Sequence, residues 1–147
     1  MITVAIGDIH GMYDMLEQLL SEIDAFTARA NKAPLKFIFL GDYIDRGPDS
    51  LKVVGRLRMI EGPPVICLRG NHEQMMVECE EEPELWRDNG GVQTKRAYRG
   101  REDQFEDDKV WMSHLPTSFE DERGFLSTQE SNPGSHSLNK QTIRNYG

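Results

Sequence analysis

Three times in the first half of the chain, a short apolar run breaks off at a glycine and a residue able to bind a cation. Ile2 to Ile6 leads into Gly7-Asp8-Ile9-His10-Gly11, and Phe37 to Leu40 into Gly41-Asp42-Tyr43-Ile44-Asp45-Arg46-Gly47. Val65 to Leu68 leads into Gly70-Asn71-His72-Glu73. Short β-branched runs closed by glycine read as buried strands of a parallel sheet, with helices between them. Ligands of open α/β sheets gather at the carboxyl ends of the strands, so the three loops are predicted to meet at one edge. Asp, His and Asn mix hard oxygens with imidazole, which suits manganese, iron or zinc better than the all-oxygen cage calcium prefers. The glycines let the backbone turn sharply beside such an ion. A single Gly-Asp-x-His-Gly means little, because Asp-Gly and His-Gly are common turn pairs. Three such loops in series are a much stronger signal.

Composition narrows the setting. A length of 147 residues favours one domain with a modest core. With 37% hydrophobic and 29% charged residues the chain reads as soluble, and its apolar runs are far too short to cross a bilayer. No basic leader followed by an apolar stretch opens the sequence, so a cytoplasmic protein without membrane contact is expected. The net charge of -8 argues against nucleic acid as a partner, since non-specific binding relies on a basic footprint. An acidic chain can still hold a phosphate where a bound divalent cation dominates the local field. Cys67, in a strand, and Cys79, in a helix, lack the spacing of a zinc site or a disulfide framework and are expected as reduced, largely buried thiols.

Met12, Met15, Leu16, Leu19, Leu20 and Ile23 recur at helical period, which predicts a helix with this stripe in the core. Ile2 to Leu40 then forms one right-handed βαβ unit. Asp49 or Ser50 is placed to cap a second helix carrying Val53, Val54, Leu57 and Ile60, which Gly62-Pro63-Pro64 ends. A third helix starts at Asn71 and runs into the acidic stretch Glu78 to Glu84, read as a solvated helix end. Asn89-Gly90-Gly91 is a turn, and Phe105, Trp111, Met112 and Leu115 mark a helix stopped by Pro116. Phe125-Leu126 reads as a short strand. Residues 127–147 show neither period, so 1–126 is taken as the domain and 127–147 as an atypical polar tail, loop or partly disordered.

In this order, Gly-Asp-x-His-Gly, Gly-Asp-x-x-Asp-Arg-Gly and Gly-Asn-His-Glu resemble the signature of the metallophosphoesterases. The second and third look like the serine/threonine phosphoprotein phosphatase branch of bacterial and phage type. Asn71 to Met76, Asn89-Gly90-Gly91 and Leu115-Pro116 extend the likeness over residues 1–126. The resemblance implies an α/β fold of αββα sandwich type. It also implies a metal-dependent phosphoesterase that hydrolyses phosphomonoesters by two-metal activation of water, foremost a serine/threonine protein phosphatase acting on a phosphoprotein or a small phosphoester. By the same resemblance, Asp8 and His10 would bind the first metal, Asp42 would bridge both, and Asn71 would bind the second and touch the phosphate. His72 would protonate the leaving group, oriented by Asp45, and Arg46 would grip phosphate oxygens. Manganese is the implied ion, with iron or zinc as alternatives. General chemistry agrees with these roles. A guanidinium fork matches phosphate bidentately. An imidazolium beside a leaving alkoxide contributes about 10²–10⁴-fold, and a carboxylate partner keeps it protonated and aligned. Glu73 is read as structural, bonding backbone or Arg69.

The family pattern closes its metal site with two later histidines, one in an apolar-His-Ala-Gly segment and one in Gly-His-Thr. Here Phe125-Leu126-Ser127-Thr128-Gln129 puts Ser127 where the first belongs, and Gly147 is reached before the second. The second metal site is therefore expected to be weak or empty and the second sheet incomplete. An uncovered apolar face invites a partner, such as a second copy in a homo-oligomer. His114 is read as a surface or core histidine. His136 is read as a turn residue, though it could stand in for a missing ligand. Two other functions stay open: a non-catalytic remnant that binds phosphate or protein through the intact loops, and a diadenosine polyphosphate hydrolase, since related bacterial enzymes share these loops.

Overall fold

The computed structural model describes residues 2–31, 34–122 and 124–128, with the backbone alone at 34–35 and 142–145. The elements run β1 (Ile2–Ile6), α1 (Tyr13–Arg29), β2 (Pro34–Phe39), α2 (Ser50–Arg58), β3 (Val65–Cys67) and α3 (Asn71–Val77). They continue with α4 (Pro83–Trp86), α5 (Val92–Ala97), α6 (Glu102–Ser113), β4 (Ser118–Asp121), β5 (Gly124–Ser127) and β6 (Thr142–Asn145). Strands β1, β2 and β3 form a parallel sheet in that order, with Val4 opposite Phe37 and Phe39 opposite Cys67. Strands β4, β5 and β6 form a second, antiparallel sheet.

The central strand explains why its sequence is a continuous apolar run. Phe37 and Phe39 point into a helix-side core with Ile6, Leu16, Leu20, Val53, Val54, Leu57, Met76 and Met112. Ile38 and Leu40, alternating with them, join Leu68 in a second core against Phe119 of β4 and Leu126 of β5. Both faces of β2 are thus buried, as a parallel sheet between two layers requires. Between the sheets, Lys36 donates to Asp121 at 2.7 Å and lies over the Phe119 ring. On the helical side, Arg58 of α2 pairs with Asp107 and with the buried Asp108 of α6, and Tyr98 donates its hydroxyl to Asp108 at 2.8 Å. This layering is the expected α/β metallophosphoesterase-like sandwich. No helix among the described residues is long and apolar enough to cross a membrane.

Several local expectations need correction. Leu16 and Leu20 of the α1 stripe are in the core, but Met12, Met15 and Leu19 are 41%, 64% and 39% exposed. Helical period shows that a helix has an apolar side, not that a partner lies along all of it. Among the described strands β1 pairs with β2, at the edge of the sheet, and a groove of about 540 Å³ runs between β1 and α1. The uncovered apolar surface therefore lies along this groove, while the inner sheet face is covered by β4 and β5. Cys79 falls in the turn after α3 rather than in a helix. It and Cys67 are partly buried free thiols, and burial pushes Cys67 up to about 12, too high for a nucleophile. Asn89-Gly90-Gly91 forms a kinked helical passage between α4 and α5, with Gly90 at φ 105. Within the stretch expected as loop, Thr142–Asn145 is a strand paired with β5. His114 is exposed at the end of α6, its Nδ1 donating to the Val110 carbonyl at 2.7 Å. His136 lies outside the described residues.

A glycine contrast follows from the packing. A methyl group at Gly55, inside α2, would meet nothing within 4 Å. Gly55→Ala is expected to raise stability by about 1 kcal/mol, because alanine loses less backbone entropy in a helix; a urea melt that shifts downward would contradict this.

Candidate metal and phosphate site

The three loops are laced together by their own backbones. The N–H groups of Ile9 and His10 both donate to the Asp42 carbonyl, at 3.0 and 2.8 Å, and Gly11 donates to Tyr43 at 2.7 Å. Gly47 returns a bond to the His10 carbonyl at 3.0 Å. The fully buried Tyr43 ties the second loop to both strand ends: its hydroxyl lies 2.9 Å from the Phe39 carbonyl and 2.6 Å from that of Leu68. Glu73, also fully buried, joins the second loop to the third. One of its oxygens accepts from Asp42 and Gly70, at 2.7 and 2.9 Å, and the other from Tyr43 at 2.8 Å. Glu73 is thus the backbone-bonding residue the sequence led us to expect, whereas Arg69 instead donates to the Ser113 carbonyl at 2.9 Å. Burial pushes the Glu73 carboxyl up to about 7, against three N–H donors that favour its charged form.

This lacing brings Asp8, His10 and Asp42 together, with one ligand atom from each lying within 4.8 Å of the others. Two carboxylates and an imidazole fit a divalent transition-metal ion. The His10 ring is set for ligation, since its Nδ1–H donates to the Ile44 carbonyl at 3.0 Å and so leaves the Nε2 lone pair facing the site. Strain concentrates here as well. His10, Asp42, Asp45 and Arg46 all have positive φ, at 46°, 55°, 71° and 64°, a conformation costing non-glycine residues on the order of 1–3 kcal/mol each. Burial raises the Asp42 affinity for a proton, with the His72 N–H working against it. A cation at the site would restore the charged carboxylate.

Asn71 opens α3 beside these groups, and the next residue, His72, donates its backbone N–H to Asp42 Oδ1 at 3.1 Å. Gly70 is required just before it. A Cβ there would lie 2.5 Å from the Asp42 nitrogen and hard against Asp42 Oδ1. Gly70→Ala is expected to cost about 3 kcal/mol, the upper end for overpacking, and to weaken manganese binding. An unchanged urea midpoint and unchanged affinity would contradict that close approach.

The second half of the site is a histidine held by a buried carboxylate. His72 Nδ1 donates to Asp45 Oδ2 at 2.8 Å, and both side chains are almost wholly enclosed. Arg46, on the solvent side, donates to His72 Nε2 at 3.2 Å and to His10 Nε2 at 3.0 Å. The two imidazoles meet edge to face, 4.6 Å between centroids. Sequence reasoning missed the groups behind Asp45. The Trp86 indole N–H lies 2.9 and 3.1 Å from its two oxygens, and the Thr94 hydroxyl donates at 2.6 Å. The nearest signal was Asn89-Gly90-Gly91, which lies between these two residues; a Cβ at Gly91 would strike the Trp86 ring at 2.6 Å.

The end of β5 packs beside the start of the third loop. Thr128, just after Ser127 at the end of β5, donates its hydroxyl to the Arg69 carbonyl at 2.5 Å, next to the third loop. Ser127 itself has its hydroxyl 3.5 Å from the Thr117 carbonyl.

Comparison with known proteins agrees with this geometry. The chain is 40% identical over 88 residues to serine/threonine-protein phosphatase 2 of Escherichia coli, covering 58% of this chain and 37% of that protein. It is 39% identical over 88 residues to serine/threonine-protein phosphatase 1 of Salmonella typhimurium, with the same coverage. Over 73 residues it is 44% identical to the symmetrical bis(5'-nucleosyl)-tetraphosphatase of Cellvibrio japonicus, covering 50% of this chain and 25% of that one. The chain thus spans little more than a third of the length of the curated phosphatases it matches. Among solved structures, a hypothetical protein from Pyrococcus horikoshii superposes with a TM-score of 0.62 at 16% identity, over 84% of this chain and 52% of that one. A metallophosphoesterase from Sphaerobacter thermophilus gives 0.51 at 18% identity, over 81% and 43%. With residues 1–144 matching the family pattern, the chain belongs to the calcineurin-like phosphoesterases.

Proposed function

We propose that this chain hydrolyses phosphomonoesters with the help of a divalent cation, and that its substrates are phosphoserine or phosphothreonine side chains of proteins. The observation that carries this reading is Arg46, whose guanidinium lies between the Nε2 atoms of a metal-binding imidazole and a carboxylate-backed one. Asp8, His10 and Asp42 would hold the cation, which when bound would supply Lewis acidity and an acidified water. Among the described residues Asp42 and Asn71 are the candidates for a second ion, and two ligands make a weak site. Manganese is the ion to try first.

The chain's own residues divide the remaining work. Arg46 and a protonated His72 cannot both donate across the same 3.2 Å, so the guanidinium must leave His72 for the phosphate oxygens before the imidazole can act as an acid. Bound bidentately, Arg46 neutralises and orients the phosphoryl group. Hydrolysis adds the oxygen of water to phosphorus and breaks the ester P–O bond. His72 gives its Nε2 proton to the departing oxygen and is left neutral, while Asp45 keeps the Nδ1 proton in place throughout. The enclosed dyad keeps water from taking over this proton transfer.

The test is manganese-stimulated hydrolysis of phenyl phosphate, which is expected to fall by about 10²–10⁴-fold in His72→Asn. Equal rates in variant and parent would remove the reading. The likeness to a bis(5'-nucleosyl)-tetraphosphatase favours one rival, cleavage of diadenosine tetraphosphate. Comparing kcat/KM on a phosphoserine peptide and on that dinucleotide decides between them.

A further inference from the structure

Asp45 is fully enclosed and sits at φ 71, so its carboxylate depends on the groups around it for both charge compensation and direction. His72 Nδ1 and Trp86 Nε1 donate to Oδ2 at 2.8 and 2.9 Å, the same indole N–H lies 3.1 Å from Oδ1, and the Thr94 hydroxyl donates to Oδ1 at 2.6 Å. The direction of the Thr94 bond follows from counting protons. A carboxylate can only accept, so the single hydroxyl proton of Thr94 goes to Asp45. Thr94 Oγ1 then accepts from the Asp45 N–H at 2.9 Å and from the Ser50 hydroxyl at 3.0 Å, while Ser50 Oγ also accepts from the Asp45 N–H at 3.2 Å. Three separate elements, α3, α4 and α5, thus converge on one carboxylate that never touches solvent, and Ser50 of α2 supports it through Thr94 and the Asp45 N–H.

We infer that Trp86 and Thr94 are positioning residues for the Asp45–His72 pair, fixing the carboxylate plane so that His72 keeps its proton on Nδ1 and its Nε2 turned to the leaving group. A carboxylate held on both oxygens cannot rotate about its Cβ–Cγ bond. One that loses the short Thr94 bond on Oδ1 keeps there the longer 3.1 Å approach of the indole N–H, which also serves Oδ2, so it turns more freely and the imidazole it aims drifts from the line to the leaving oxygen. Small misplacements of a reacting group are expensive, so the effect on proton donation is expected to be about 10–100-fold.

This inference rests on the phosphoesterase reading, and its test separates the two. Phenyl phosphate needs a proton on its leaving oxygen, whereas p-nitrophenyl phosphate departs as a stable phenolate. In Thr94→Val, kcat on phenyl phosphate is expected to fall about 10–100-fold, with a far smaller fall on p-nitrophenyl phosphate and KM little changed. Thr94→Ser, which keeps the hydroxyl, restores the parent values. A second readout needs neither metal nor turnover: the His72 Nδ1–H proton should give an exchange-protected downfield NMR resonance. It is lost in His72→Asn, broadened in Thr94→Val and recovered in Thr94→Ser. Trp86→Phe should act in the same direction, and Thr94→Val remains informative if loss of the indole unfolds the chain. Equal falls on both esters, with the resonance unchanged in Thr94→Val, would overturn the inference. If the parent hydrolyses neither ester, the phosphoesterase reading fails and the resonance alone decides, broadening upholding the inference and constancy overturning it.

Discussion

Asp42→Asn is expected to weaken manganese binding by more than about 100-fold and to bring phosphate-ester hydrolysis down to background. Losing a group that merely orients a metal ligand typically costs 10–100-fold, and here the proposed charged ligand itself is removed. The substitution isolates charge from shape. Asparagine has nearly the same volume and can still offer an oxygen to the His72 N–H that now donates to Asp42 Oδ1 at 3.1 Å. The bonds that the Asp42 carbonyl accepts from Ile9 and His10 are made by backbone and survive. Stability should change little or rise, because the parent carries a buried carboxylate only 2% exposed with Asp8 nearby. Titration calorimetry with manganese, beside a urea melt, checks both halves. Parent-like affinity in the asparagine variant would show that the ion is held elsewhere.

The candidate metal set was legible in the sequence because Asp8 and His10 follow β1, and Asp42 follows β2, within two to four residues, so local pattern placed all three at one sheet edge. The Asp45–His72 contact was legible only through family resemblance, since it joins two loops 27 residues apart. Trp86 and Thr94 were illegible for a different reason. They stand 41 and 49 residues beyond Asp45, and a buried indole or hydroxyl carries no sequence mark of which acceptor it serves. Polar satisfaction in a core is a tertiary property, visible only once the layers are packed. The same holds for α1, whose apolar stripe was correct as a pattern but half wrong as a core, because β1 leaves Met12, Met15 and Leu19 without cover. Strands β4 and β6, each of four residues, are too short for alternation to stand out and owe their pairing to β5 between them.

Glu73→Ala is expected to destabilise the fold by about 3–5 kcal/mol, a large share of the total for a domain of this size. The carboxylate is the acceptor for the N–H groups of Asp42, Tyr43 and Gly70, and its truncation would orphan all three in a site closed to water. Its bond to Gly70 also closes the first turn of α3, the third-position glutamate reaching back to the N-cap backbone as in a capping box. Glu73→Gln tests the same point more finely. Its one carbonyl can keep the two bonds of Asp42 and Gly70, but the amide nitrogen then faces the Tyr43 N–H, donor against donor, at a cost of about 2 kcal/mol. Urea midpoints should therefore run from parent to Gln to Ala in descending order, and a glutamine variant as stable as the parent would contradict the bonding. Because Glu73 binds the second loop to the third, manganese affinity should fall along with stability although no ligand has been touched. A fall in stability with affinity intact would mean that the Asp8, His10 and Asp42 cluster is held by the lacing of the first two loops alone.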